Sequence, residues 1–328
     1  MLSNMNSSNM VKYFSAFILI TSIGVLYDRY KEKWGILKNE ELQNQENIKK
    51  YLLNEDSLLN GKPILWIHNK YEINSRNWDN FYSRNNAKLN QPYKKLCVQT
   101  IIKNCGDDFN ICLIDDDSFS KLVPSWNLQI GEMTDPIKSH IRKLALSKLL
   151  YYYGGMLLPS SSVAVKGLKC CYNKLLSNKC CFVGETINKS EISNKTIFFP
   201  DTNVMGCKRN SVAMKEYMLY LERLNDYSNE YEFDGKPERF MNKLCKEGKV
   251  ALWKGKFLGQ IDMNKKEITL ENLMSSAPVR FNSMRVLIIN GDDLLKRTKY
   301  EWFCRLNEKQ ILESKTVIGK LLSMSLAN

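Results

Sequence analysis

With 328 residues, 44 % of them apolar and 25 % charged, the chain is long enough to bury a sizeable core and has an ordinary globular composition. A formal net charge of +13 points to anionic partners: phosphates, nucleotide or an acidic membrane face. Long basic runs are absent and aromatics are not interleaved with arginines, so no nucleic-acid partner is expected.

The first feature along the chain, after a polar tail (1–12), is an almost unbroken apolar stretch from Tyr13 to Tyr27. A membrane span normally takes ~20 residues, and Met10, Val11 and a snorkelling Lys12 extend this one towards that length. Tyrosines at both ends suit the membrane interface. The segment is read as a retained single-pass anchor, with a cleaved signal peptide as the rival. Arg29, Lys31, Lys33 and Lys38 follow it, against Lys12 before it, which places the main domain on the cytoplasmic side of a host membrane or virion. Residues 28–60 are polar and helix-prone, a stalk leading to a folded domain over 61–328.

Gly61-Lys62-Pro63 punctuates the chain, and Ile64 to Ile67 is a short apolar strand. Asn90 and Pro92 open a helix running to about Asn104 and closed by Gly106. Phe109 to Ile114 is a second strand, ending in Asp115-Asp116-Asp117. A helix from Pro136 to Tyr153 follows, with Gly154 at the position where a left-handed residue ends a helix. Met156 to Leu158 is a third strand. Alternating short apolar strands and helices predict an α/β domain with a mostly parallel, Rossmann-like sheet flanked by helices. Ligands of such sheets bind beyond the carboxyl ends of the strands, which gathers His68-Asn69, Asp115 to Asp117 and Pro159 to Ser162 around one crevice. Further on, Ile197 to Phe199 and Val204-Met205 read as strands, and Ser211 to Asn225 and Pro237 to Glu247 as helices. Ala251 to Leu270 reads as a hairpin, Val286 to Ile289 as a strand, and Asn307 to about Met324 as one closing helix.

The ten cysteines include two adjacent pairs, Cys170-Cys171 and Cys180-Cys181. That spacing is poor for zinc, and only His68 and His140 offer imidazole, so free thiols in a reducing compartment are expected.

A buried helix, then Tyr153-Gly154-Gly155, three apolar residues and a short loop resembles the D-x-D glycosyltransferases and capsular polysaccharide synthesis proteins. Ile64-Leu65-Trp66-Ile67-His68 resembles that family's first strand. Gly291 to Leu295 and Tyr300-Glu301-Trp302-Phe303 resemble glycosyltransferase-like proteins of large nucleocytoplasmic DNA viruses. The resemblance implies a GT-A fold, a UDP- or GDP-sugar donor, a glycan or protein acceptor, and manganese held by the D-x-D carboxylates. Here the two metal aspartates align with Pro159 and Ser161. The family's upstream S-D-x-x-R motif falls on Arg142, Lys143 and Leu146. A hard divalent cation needs carboxylate oxygens, so no metal site is expected. Fixed cations would then meet the diphosphate: Arg142, Lys143, Lys148 and Lys166 are available by position.

The expected contacts to a nucleotide sugar are Trp66, His68, Asn69, Lys148, Gly154, Gly155, Ser160 and Ser161. Asp115, Asp117 and Arg142 are the expected catalytic groups. Each has a structural alternative: a helix cap for Asp115 to Asp117, a satisfied histidine for His68, snorkelling for Lys148, and a capped turn for Ser160 to Ser162. The functional expectation is metal-independent sugar transfer, and its alternative is a catalytically inactive scaffold that keeps the sheet.

Overall fold

The computed structural model describes residues 61–70, 91–189, 196–227 and 235–327. The expected tail, membrane segment (13–27) and stalk (28–60) lie outside the described residues, among which no helix is long and apolar enough to cross a membrane. Gly61–Asn328 forms one compact unit.

Strand β1 (Ile64–His68) leads to helix α1 (Pro92–Cys105), strand β2 (Asn110–Ile114) and the short helix α2 (Ser118–Leu122). Helix α3 (Ile137–Tyr153) then feeds β3 (Gly155–Pro159), β4 (Ser162–Ala164), α4 (Lys169–Ser177), β5 (Cys181–Lys189) and β6 (Thr196–Cys207). Helices α5 (Val212–Tyr227) and α6 (Lys236–Lys246) precede β7 (Ala251–Trp253), α7 (Leu270–Met274) and β8 (Val286–Ile288). The end of the chain is helical: α8 (Gly291–Lys296), α9 (Glu301–Cys304), α10 (Glu308–Leu312) and α11 (Val317–Ala327).

Six strands form one sheet in the order β2-β1-β3-β6-β5-β7, and β4 pairs with β8 in a second, two-stranded sheet. β1 runs parallel to both β2 and β3, and β5 parallel to β7; only β6 opposes its neighbours, β3 and β5. The architecture is therefore mixed α/β with a mostly parallel sheet flanked by helices. All five residues of β1 are buried, as a central parallel strand requires. Leu65 sits between Ile111 of β2 and Met156 of β3. Leu65 and Ile67 point to one face, packing with Val98 and Ile101 of α1. Trp66 and His68 alternate to the other, where Trp66 meets Tyr153 edge-on and His68 stacks on Phe119. Full burial of each such leucine or isoleucine contributes roughly 1.5–3 kcal/mol. A second cluster packs α1 through Tyr93 and Leu96 against the C-terminal helices through Phe303, Ile318 and Leu322.

The glycine pair between α3 and β3 is required by the backbone. Gly154 has φ +69 and ψ −161, a conformation for glycine alone; it is extended rather than the left-handed helical cap expected from the sequence. Gly155 has φ +98, and a Cβ there would lie 2.2 Å from the Ile64 carbonyl oxygen. The Trp66 indole N–H donates to the Gly154 carbonyl at 2.9 Å, which fixes the approach of β3 to β1.

Three expectations are corrected. Ala251 to Leu270 is a hairpin only in its second half, where Ile261 and Glu267 form an antiparallel bridge; its start is the edge strand β7, followed by a 3-10 turn (Gly255–Leu258) that buries Leu258, with the Glu185 carboxylate accepting from the Gly255 N–H. The closing helix is two helices, α10 and α11, because the Thr316 hydroxyl takes the Gly319 N–H and starts a new turn. The two strands expected around Phe198 and Val204 are one, β6. The sequence reading did not include β5 or α4.

All ten cysteines are free thiols. Burial pushes those of Cys97, Cys105 and Cys112 up to about 12, which keeps them protonated and unreactive.

Candidate functional site

The sheet reverses its winding at β1: β2 was added on one side, β3 on the other. A crevice opens at such a switch point, beyond the carboxyl ends of the two strands. Register puts His68 beside Ile114 of β2 and Pro159 of β3 at that edge. The ladder continues one residue further, with the Asn69 N–H donating to the Ile114 carbonyl at 2.8 Å. Because side chains alternate along a strand, His68 and Asn69 belong to opposite faces of the sheet. The edge therefore has two corners.

The His68 corner is closed by charge. Arg142, from the start of α3 and 3 % exposed, grips Asp116 with two parallel hydrogen bonds, Nε to Oδ1 at 2.8 Å and a terminal guanidinium nitrogen to Oδ2 at 2.5 Å. His68 Nε2 lies 3.0 Å from Asp116 Oδ1. Burial pushes the Asp116 carboxyl up, but the hydrogen bonds from Arg142 and His68 outweigh it and hold the group well below the usual carboxylate range. Asp115 is occupied locally, its Oδ1 accepting from the Ser118 N–H at 2.9 Å and the Ser118 hydroxyl at 2.6 Å, a cap on the turn into α2. Asp117 is exposed at the rim.

The Asn69 corner is open in a different sense: its polar groups are buried and unsatisfied. Asn69 is 0 % exposed, yet neither its amide nitrogen nor its amide oxygen has a hydrogen-bond partner. The Tyr93 hydroxyl, from the first turn of α1, is likewise buried and unpartnered. A Cβ on Gly291, at the start of α8, would meet that hydroxyl at 2.9 Å and the Ser161 hydroxyl at 3.2 Å. Lys70 reaches Asp292 at 3.4 Å on the same side. An unmet buried amide or hydroxyl costs about 1–3 kcal/mol, which sets Asn69 and Tyr93 apart from the fully paired groups of the His68 corner.

The remaining expected residues are distributed as follows. Trp66 and Gly154 are joined to each other by the indole hydrogen bond, and Gly155 packs on β1. Lys148 pairs with Glu222 of α5 at 2.8 Å, and Lys143 with Glu238 of α6 at 2.7 Å. Lys166 is exposed beyond β4. Ser160 is buried; the Ser161 hydroxyl donates to the Ile289 carbonyl at 2.7 Å and the Ser162 hydroxyl to the Pro159 carbonyl at 2.7 Å. The residues aligned with a metal-binding D-x-D are thus a proline and a serine whose hydroxyl is bonded to backbone. They do not fit a divalent cation, which needs charged oxygens. Among the described residues no group of three or more His, Cys, Asp or Glu is disposed to hold a metal.

Asp116 and Tyr93 were not among the expected site residues. Nothing in an Asp-Asp-Asp run says which carboxylate turns inward, and a tyrosine near a helix start reads as core.

No protein-family model matches the sequence, and no curated protein matches it. Among solved structures, the glycosyltransferase GlyE of Streptococcus pneumoniae TIGR4 aligns at 10 % identity with a TM-score of 0.42 over 82 % of this chain. PaToxG glycosyltransferase aligns at 14 % identity with a TM-score of 0.31 over 65 % of it. The chain spans 64 % of the GlyE chain and 79 % of the PaToxG chain.

Proposed function

We propose that this chain is a GT-A-type, glycosyltransferase-like protein that binds a UDP- or GDP-sugar at the carboxyl edge of β1 and β3 and transfers the sugar, without a divalent cation, to a glycan or protein acceptor. The observation that carries the reading is the buried Asn69 amide, with donor and acceptor both unmet, at the switch point of a mostly parallel sheet. An amide in that state is suited to a ligand edge that presents one donor and one acceptor side by side, as a nucleobase does. Sequence motifs support the same reading through Tyr153-Gly154-Gly155 and the Ile64 to His68 strand. In the reaction, an acceptor hydroxyl attacks the anomeric carbon, the bond to the diphosphate oxygen breaks, and negative charge develops on the departing diphosphate. Asp117, at the exposed rim, is the triplet carboxylate with solvent access for taking the acceptor proton.

A second reading, a catalytically inactive binding protein, is favoured by the pairing of Arg142 with Asp116, Lys143 with Glu238 and Lys148 with Glu222. Three of the four cations expected to meet the leaving group are thus neutralised by protein, and the fourth, Lys166, is exposed beyond β4.

Calorimetric titration of the full chain with UDP- and GDP-sugars, in EDTA and then in manganese, decides between them together with a donor-hydrolysis assay. Binding and hydrolysis in EDTA support the transferase. Binding without turnover supports the inactive protein. Absence of binding at millimolar donor overturns both. Hydrolysis that needs manganese and collapses in Asp117→Asn would show that the metal-free assignment is wrong.

A further inference from the structure

The leaving group of such a donor needs positive charge, and, the exposed Lys166 apart, the cations that sequence position nominates are used elsewhere. A different lysine is not. Lys94, in the first turn of α1, is only partly exposed and makes no side-chain hydrogen bond or ion pair among the described residues. Its electrostatic neighbours are Asp292 and Lys70, and Asp292 already lies 3.4 Å from the Lys70 ammonium. Burial, the largest influence on Lys94, lowers its proton affinity, so holding an ammonium there works against desolvation.

Two further buried polar groups stand nearby without partners. Tyr93, the preceding residue, has its buried hydroxyl unpartnered, and Asn69, the residue before Lys70, has its whole amide unpartnered. Gly291 packs directly against the Tyr93 and Ser161 hydroxyls, since a Cβ there would come within 2.9 Å and 3.2 Å of them. The first turn of α1, a helix of 14 residues, contains no acidic side chain, so the positive end of its dipole is not offset locally. Two lysines, an uncompensated helix start and a hydroxyl donor face one carboxylate, which leaves the corner net positive.

We infer that Lys94, assisted by Lys70 and the Tyr93 hydroxyl, forms a diphosphate-binding site at the Asn69 corner and supplies the charge that a metal ion would otherwise bring to the leaving group. The inference deepens the donor reading above and rests on it for the nucleotide that carries the diphosphate. No new bond chemistry is involved: the ammonium and the phenolic O–H donate hydrogen bonds to phosphate oxygens as the sugar leaves.

The test is titration calorimetry of the full chain in EDTA with inorganic pyrophosphate, UDP and GDP, on the wild type and on Lys94→Gln, Tyr93→Phe and Lys148→Gln, with a thermal melt of each to show that it folds. The expected result is pyrophosphate and nucleotide binding weakened at least tenfold in Lys94→Gln, severalfold in Tyr93→Phe, and less than twofold in Lys148→Gln. Pyrophosphate binding that depends on Lys94, with no binding of either nucleotide, would support the anion site and remove the nucleotide donor. Equal binding by wild type and Lys94→Gln overturns the site and leaves the donor reading standing. Wild type that binds none of the three overturns both.

Discussion

The two corners of one sheet edge, one residue apart along β1, are built in opposite ways. At the His68 corner a buried cation and a buried carboxylate meet in a two-point ion pair, an imidazole completes it, and Phe119 covers it. At the Asn69 corner an amide and a phenol are buried with nothing to bond, and a half-buried lysine stands beside them. The difference separates structural polarity from ligand-ready polarity. Stored charge that is fully paired holds elements together; unmet hydrogen bonds are tolerated where a ligand supplies the missing half. On that distinction Arg142 and His68, which look the more chemical pair in the sequence, serve to dock α3 and α2 on β1. Tyr93 and Lys94 are the groups left available for binding.

The contrast can be broken most severely at Asp116. Asp116→Asn removes the carboxylate that holds the buried Arg142 guanidinium at two points, and a loss of about 3 kcal/mol in urea denaturation is expected. Replacing both partners, Asp116→Leu with Arg142→Met, should recover much of it, because the desolvation cost then disappears with the charge. An Asp116→Asn variant as stable as the wild type would show the pair to be ornamental. A smaller effect concerns pH. The Asp116 carboxyl is held below its unfolded value, so its contribution is complete above the ordinary carboxylate value of ~4 and is lost as pH falls from there through the native value. Urea midpoints measured from pH 7 to pH 3 should decline at the acid end, less steeply in Asp116→Asn. The smallest effects belong to the Asn69 corner and have the opposite sign. Tyr93→Phe removes a buried unmet hydroxyl and should raise stability by about 1 kcal/mol, while Lys94→Gln should change it by less than ~0.5 kcal/mol. A destabilised Tyr93→Phe would mean that the hydroxyl has a structural partner after all.

Much of the core half of this molecule is readable from local pattern. Ile64 to Ile67, Pro92 to Cys105 and the helix up to Tyr153 announce themselves through apolar runs, an early proline and a glycine stop, and they appear within a residue or two of those limits. The glycine pair was legible as a stop, but its extended conformation was not, since that depends on how closely β3 passes the Ile64 carbonyl. The middle was less readable. β5 and β6 bury their apolar residues against each other and across a register shift at Val183 and Gly184, so neither shows a clean alternation. The closing helix looked continuous because its apolar stripe continues across the break that Thr316 makes.

By itself the sequence determined that an α/β sheet forms, which residues end its first and third strands, and that the loop after the third strand, Pro159 to Ser162, holds no carboxylate. These are matters of local periodicity and residue chemistry. Only the tertiary structure decided which charges are spent and which are free: Lys148 goes to Glu222, Lys143 to Glu238, Arg142 to Asp116, and Lys94 to no protein group among the described residues. Pairing of this kind joins elements tens of residues apart, and no spacing along the chain encodes it.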